Sequence, residues 1–186
     1  MRRVEGTKRR VSFADLQRMP DDGHRYELYD GELSVVPSPF PIHQLVVRRL
    51  LEILLAFSRT SGGQVFDAPF DIVLTDYDVV EPDVIYFGPE AASRIRPKEH
   101  VRCPPDLAIE VLSPSTQRID RGRKSDLLAR HHVPEYWIVD PDARSLEVRL
   151  EAGGRYGEPV VLTSGRYQSA TQPGLEVDIE PLFVWF

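Results

Sequence analysis

Residues 106–141 read DLAIEVLSPSTQRIDRGRKSDLLARHHVPEYWIVDP. This stretch predicts a strand, a helix and a second strand. From Leu107 to Leu112, alternation puts Leu107, Ile109 and Val111 on one face and Ala108, Glu110 and Leu112 on the other. A carboxylate inside an apolar strand either faces solvent on a half-exposed sheet or is offset by a metal ion or a buried cation. The helix runs from about Gln117 to His131. Positions 124, 127, 128 and 131 share a stripe, so Leu127 and Leu128 face the sheet and Lys124 leans inward beside them. Lys124 either snorkels over apolar surface or brings a compact ammonium to one oxygen. Tyr136-Trp-Ile-Val139 is a buried type of strand, ended by Asp140-Pro-Asp.

Working outward, Ser12-Phe-Ala-Asp15 has the pattern of a capping box and predicts a short helix that stops before Pro20. Arg25 to Val36 reads as a hairpin, with Asp30-Gly31 supplying a type I′ turn. After Ser38-Pro-Phe-Pro41, the apolar positions from Ile42 to Phe57 keep helical spacing until Gly62-Gly63. Ala68 to Leu74 and Asp83 to Phe87 are strand-like runs around Thr75-Asp-Tyr-Asp78, which suggests a meander. Leu146 to Leu150 alternates as an outer strand, and Gly153-Gly154 turns it back. The final Pro181-Leu-Phe-Val-Trp-Phe186 is too apolar for a free tail and is expected to dock on the body or on a partner subunit. The fold class is a mixed-sheet α/β or α+β domain. Residues 1–24 are expected to form a basic arm and a short helix, and residues 25–186 a single body.

The chain has 186 residues and a net charge of −6, from 23 basic and 29 acidic residues. That length suits one domain, and an acidic sum argues against coating DNA through overall charge. A lone cysteine, Cys103, excludes a disulfide framework and suggests a reducing cytoplasm. The longest apolar stretch, Leu45 to Phe57, is broken by Arg48, Arg49 and Glu52, so no membrane span is expected. Seven acids and no Lys or Arg lie between Gln64 and Glu90, whereas five bases lie between Ser113 and His132. An acidic block followed by a basic one suits either two solvated faces or a metal centre beside an anion-binding rim. Phosphate-loop, dinucleotide, zinc-protease and serine-hydrolase motifs are absent.

Asp83 opens the Asp83-Val-Ile-Tyr-Phe strand and reads as a strand-entry turn or as a ligand. Two acids on neighbouring strands make an oxygen site for a hard cation, for which Mg²⁺ is better suited than Zn²⁺. Together, Asp83, Glu110 and Lys124 are equipment for phosphodiester hydrolysis.

The ordered set of Tyr26-Glu-Leu-Tyr-Asp-Gly-Glu-Leu, Ser38-Pro with His43, Glu81-Pro-Asp83-Val, Asp106 to Thr116, Asp120 with Lys124, and Val133 to Pro141 resembles a bacterial family of restriction-endonuclease-like proteins. That family is a branch of the PD-(D/E)xK nuclease superfamily. The superfamily motif places its lysine two residues after the acid, where this chain has Leu112; the family resembled carries the lysine on the following helix, at the place of Lys124. The resemblance implies a restriction-endonuclease-like core, a central mixed sheet flanked by helices. It implies Mg²⁺ (or Mn²⁺ as a substitute) on Asp83, Glu110 and the Val111 carbonyl, with Lys124 acting on the attacking water and the phosphate. Glu27 and His43 match further family positions as supporting residues. Arg118, Arg121, Arg123 and Arg130 are expected phosphate contacts on nucleic acid, most naturally DNA. The apolar end, with Phe183, Trp185 and Phe186, suggests a homodimer. A catalytically silent DNA-associated or protein-interaction module of the same fold, and a small-molecule phosphoesterase, are the alternatives.

Overall fold

A computed structural model describes residues 10–184. The expected basic arm over residues 1–9, and Trp185 and Phe186, lie outside the described residues. The capping box forms as predicted: the Ser12 backbone N–H donates to the Asp15 carboxylate, the Asp15 N–H donates to the Ser12 hydroxyl, and α1 (Phe13–Leu16) follows. Next comes the hairpin of β1 (Arg25–Tyr29) and β2 (Glu32–Val36). Its turn residues Asp30 and Gly31 have φ of 54° and 76°, as a type I′ turn requires.

The long helix α2 (Pro41–Ser61) begins with proline in its first turn and ends on Gly62 in the left-handed conformation. Its buried stripe is His43, Val46, Val47, Leu50 and Leu54. Each aliphatic member contributes roughly 1.5–3 kcal/mol by leaving water. Then follow β3 (Gln64–Asp67), β4 (Ile72–Thr75), β5 (Asp78–Val80), β6 (Val84–Phe87), α3 (Pro89–Ala92) and β7 (Leu107–Val111). A helical run of α4 (Gln117–Ile119), a π-turn (Asp120–Lys124) and α5 (Ser125–Arg130) leads to β8 (Glu135–Asp140) and β9 (Ser145–Leu150). Short strands β10 (Val160–Leu162), β11 (Arg166–Gln168) and β12 (Glu176–Asp178) and a 3₁₀ turn (Glu180–Phe183) complete the described chain.

The central sheet is six-stranded and mixed, in the order β10-β9-β8-β7-β6-β3, with β7 and β8 parallel and the other pairs antiparallel. A second, antiparallel sheet runs β2-β1-β5-β4. One face of the central sheet presents Leu107, Ile109, Val111, Trp137 and Val139 to α2 and to the C-terminal residues Leu175, Val177, Ile179, Leu182 and Phe183. The opposite face presents Ala108, Tyr136 and Ile138 to Leu127 and Leu128 and to Tyr29, Ile72 and Val80. The predicted alternation in β7 is therefore realised, and Glu110 lies on the second face. No helix among the described residues is long and apolar enough to cross a membrane.

Three local expectations need correction. Ala68 to Leu74 is not one strand. β3 ends at Asp67 and β4 begins at Ile72, in different sheets, because Pro69 has no N–H to give a ladder. The meander also fails: β4 turns back on β5, a strand not expected between the two runs, while β6 pairs with β3 and β7. The helix from Gln117 is interrupted by the π-turn. The apolar end follows one of its two expectations, since Phe183 docks on the chain's own core.

Candidate active site

Four elements bring acids and one lysine to a single cleft. β6 and β7 are antiparallel with Val84 opposite Ile109. Continuing that register places Asp83 beside Glu110. The Val111 N–H donates to Asp83 Oδ2 at 2.8 Å, which fixes the carboxylate at the strand mouth. From the first turn of α2, His43 Nε2–H donates to the same oxygen at 3.0 Å. A carboxylate can only accept, so the proton sits on Nε2; Nδ1 is buried without a partner.

From the π-turn, the Lys124 ammonium donates to Glu110 Oε1 at 2.7 Å and pairs with Glu27 Oε1 at 2.8 Å. Asp120 Oδ1 lies 3.8 Å from the same nitrogen. Glu27 comes from β1, so this ammonium ties the second sheet to the central one. The other Glu27 oxygen accepts from the Tyr29 hydroxyl, and Oε1 also accepts from the Glu81 N–H. All four members are buried: Glu27 is 4%, Glu110 5%, Lys124 4% and Asp120 2% exposed.

The π-turn has an identifiable cause. The Tyr136 hydroxyl donates to the Asp120 carbonyl at 3.1 Å, and Arg149 Nη1 donates to the Arg121 carbonyl at 3.1 Å. Side chains inserted into a helical ladder loosen its ordinary bonding. The wider turn carries both Asp120 and Lys124 inward.

Electrostatics follow from the crowding. Burial, opposed by Lys124 and aided by repulsion from Asp83, Asp120 and Glu27, pushes the Glu110 carboxyl well above the usual range. Burial also raises Asp120, against the pull of Lys124. For Lys124 burial works to lower the pKa, but Glu110 and Glu27 win and hold it well above the ordinary lysine value. Lys124 is thus a fixed ammonium and not a poised base. On the rim, burial and the nearby Asp71 raise Glu81 to about 7.

Asp83, Glu110, Val111, Lys124, Glu27 and His43 all line this cleft, whose volume is about 80 Å³. That is room for an ion and a few waters. Arg118, Arg121, Arg123 and Arg130 do not line it. Arg121 is committed to Asp140 and Glu147, and Arg123 to Glu32 and the Tyr29 carbonyl, while Arg118 and Arg130 are exposed elsewhere. The cleft's arginine is Arg25, which pairs loosely with Glu81 at 3.4 Å. Glu81 had no signal in the sequence beyond standing inside a matched motif, and Arg25, one residue before another, had none beyond opening the predicted hairpin. Asp120 had one, its spacing of four from Lys124, but no role attached to it.

The donor set suits a hard divalent cation. Three buried carboxylates surround one ammonium, with the half-buried Asp83 beside them, an excess of negative charge that a bound cation would offset. Asp120 Oδ2 is buried with no hydrogen-bond partner. Among the described residues no three His, Cys, Asp or Glu side chains form a ready metal cage. Two carboxylates and a backbone carbonyl, with the remaining positions left to water or substrate oxygen, is the manner of Mg²⁺.

A family model named Uma2, described as "Putative restriction endonuclease", matches residues 13–180. Among solved structures, the chain is similar to "a putative nuclease belonging to DUF820" from Anabaena variabilis ATCC 29413, with a TM-score of 0.79 and 18% identity over 93% of this chain and 97% of that one. At that identity the likeness is one of fold. No curated protein matches the chain. The central mixed sheet flanked by helices is the fold of that nuclease, and because the family model spans nearly all of the described residues, this chain belongs to the Uma2 family of restriction-endonuclease-like proteins.

Proposed function

We propose that the chain is a Mg²⁺-dependent phosphodiesterase acting on nucleic acid, an endonuclease of the PD-(D/E)xK kind whose lysine has moved to the following helix. The observation that carries this reading is the Lys124 ammonium, 2.7 Å from Glu110 inside a cleft that Asp83 also lines. Leu112, at the usual lysine position, is buried in apolar surroundings. The helix therefore returns the cation to the acid that the strand leaves without one.

Asp83, Glu110 and the Val111 carbonyl would hold the metal, which supplies Lewis acidity to a phosphoryl oxygen and a nucleophilic water at neutral pH. Lys124 gives a fixed positive charge where negative charge builds on the phosphate, and its remaining N–H can orient the attacking water. A preorganised donor of this type contributes on the order of 10²–10³ in rate. Glu27 and Asp120 hold that ammonium in place. His43 and the Val111 N–H hold one Asp83 oxygen, which leaves the other, Oδ1, without a protein partner among the described residues. Membership of a restriction-endonuclease-like family supports nucleic acid as the substrate class, with DNA the form tested first.

The test is cleavage of plasmid and labelled oligonucleotide with and without Mg²⁺ or Mn²⁺. Cutting that depends on the ion and disappears in Asp83→Asn, Glu110→Gln and Lys124→Ala is the expected result. Hydrolysis of a simple phosphate ester with nucleic acid left intact would replace this reading with a small-molecule phosphoesterase. Absence of metal affinity would leave a silent module of the same fold.

A further inference from the structure

A second and larger cavity, about 650 Å³, shares two elements with the active-site cleft. These are β1 and the helical run, each of which sends residues to both. Glu27 and Lys124 face the cleft, whereas Tyr29 and Arg123 line the larger groove. Four arginines line it, Arg123, Arg130, Arg149 and Arg155, against two acids, Asp30 and Asp126. In a chain with a net charge of −6 that is a local reversal of sign.

The arginines differ in how they are held. Arg149 is anchored, with Nη1 donating to the Ser125 hydroxyl at 2.7 Å and its other nitrogens paired with Glu147. Arg123 pairs with Glu32 at 3.1 Å and lies over the Tyr29 ring. A guanidinium has five donors; Arg149, which also donates to the Arg121 carbonyl, keeps one N–H for a further acceptor, and Arg123, bonded through Nη2 alone, keeps several. Arg130, at the end of α5, and Arg155, after the Gly153-Gly154 turn, are exposed and make no side-chain bond or ion pair among the described residues. Of the two acids, Asp30 is already neutralised by Arg10. The groove thus combines two fixed guanidinium groups with two free ones, and planar forks of that kind suit phosphate oxygens in pairs.

We propose that this groove binds the phosphodiester backbone of the nucleic-acid substrate at a distance from the bond to be cut. The inference rests on the nuclease reading above and adds to it a binding track that the cleft, with Arg25 as its one arginine among the described residues, does not provide. Contacts to phosphate fix register on a nucleic acid without reading its sequence, so the groove would serve affinity and placement.

The experiment measures binding of a fluorescein-labelled 20-base-pair DNA duplex by anisotropy, in EDTA to prevent cutting, over a series of salt concentrations. Wild type is compared with the full-length Arg130→Ala/Arg155→Ala double variant. Both positions are exposed and unpartnered, so the variant is expected to melt with wild type. The expected result is binding about ten-fold weaker and a slope of log affinity against log salt that is shallower by about two, one for each lost phosphate contact. A variant that matches wild type in affinity and slope overturns the groove while leaving the nuclease reading intact, provided wild type cuts DNA with Mg²⁺. Wild type that neither binds nor cuts nucleic acid overturns both. Competition by millimolar inorganic phosphate or a mononucleotide as strong as that by unlabelled duplex would assign the groove to a small phosphorylated ligand and overturn the backbone track.

Discussion

Lys124 is surrounded by more negative charge than it can neutralise, and its removal should be felt in stability as well as in rate. Deleting one partner of a buried ion pair leaves the other uncompensated, typically at a cost of about 3–5 kcal/mol. Lys124→Ala should therefore lower the melting temperature in EDTA as well as abolish cleavage. Glu110→Gln should abolish cleavage with a much smaller loss, because it removes a charge that burial already disfavours. Equal melting temperatures for the two variants would contradict the charge balance drawn here. His131 makes a separate point about pH. Burial lowers its pKa, with Arg130 and His132 adding to the effect and Asp78 opposing it. A histidine whose folded pKa is depressed supports the native state above its unfolded value of 6.5 and loses that support as pH falls through the folded value. Wild type should lose more stability between pH 7 and pH 5 than His131→Gln does, as thermal melts at each pH would show.

β8 and the π-turn show what a helix or strand needs beyond its own pattern. Glu135 is fully buried without a cation, yet both of its oxygens are satisfied. Trp137 Nε1, the Tyr167 hydroxyl, the Ser169 hydroxyl, and the Thr171 hydroxyl and N–H all donate to it. One carboxylate therefore pins the C-terminal segment to the central sheet. Glu135→Ala strands several buried donors at about 1–3 kcal/mol each, and should lower the melting temperature more than any surface acid replaced the same way. Tyr136→Phe removes the hydroxyl that opens the helix at Asp120. Its cleavage rate should fall with little change in melting temperature, since Lys124 would lose its placement and the core would keep its ring. Neither feature could be read from the chain. The hairpin, α2 and the faces of β7 were legible because each is set by local turn chemistry or by apolar period. The π-turn depends on a tyrosine sixteen positions away, and the break at Pro69 on which sheet each flanking strand joins. The positions of Asp83, Glu110 and Lys124 were legible through ordered motifs; Arg25 and Glu81 were not, because only tertiary packing turns them into the cleft.

Among the described residues two neighbouring cavities carry lining of opposite sign, acidic in the cleft and arginine-rich in the groove, and on the proposed function this would let an acidic chain serve nucleic acid. The carboxylate cleft would repel a phosphodiester until a cation entered, while the arginine groove would attract it throughout. On the proposed function metal binding would be a condition for chemistry and also a source of stability, because a ligand that binds only the native state raises its free energy of unfolding by RT ln(1 + [L]/Kd). At one hundred times Kd that is about 2.7 kcal/mol. A titration of Mg²⁺ or Mn²⁺ in a thermal-shift assay should raise the melting temperature of wild type by several degrees, saturating as one site. Asp83→Asn and Glu110→Gln should show little rise, and Arg130→Ala/Arg155→Ala should show the full rise, because its lesion lies in the other cavity. A shift that persists in both carboxylate variants would place the cation away from Asp83 and Glu110 and would separate metal binding from the cleft.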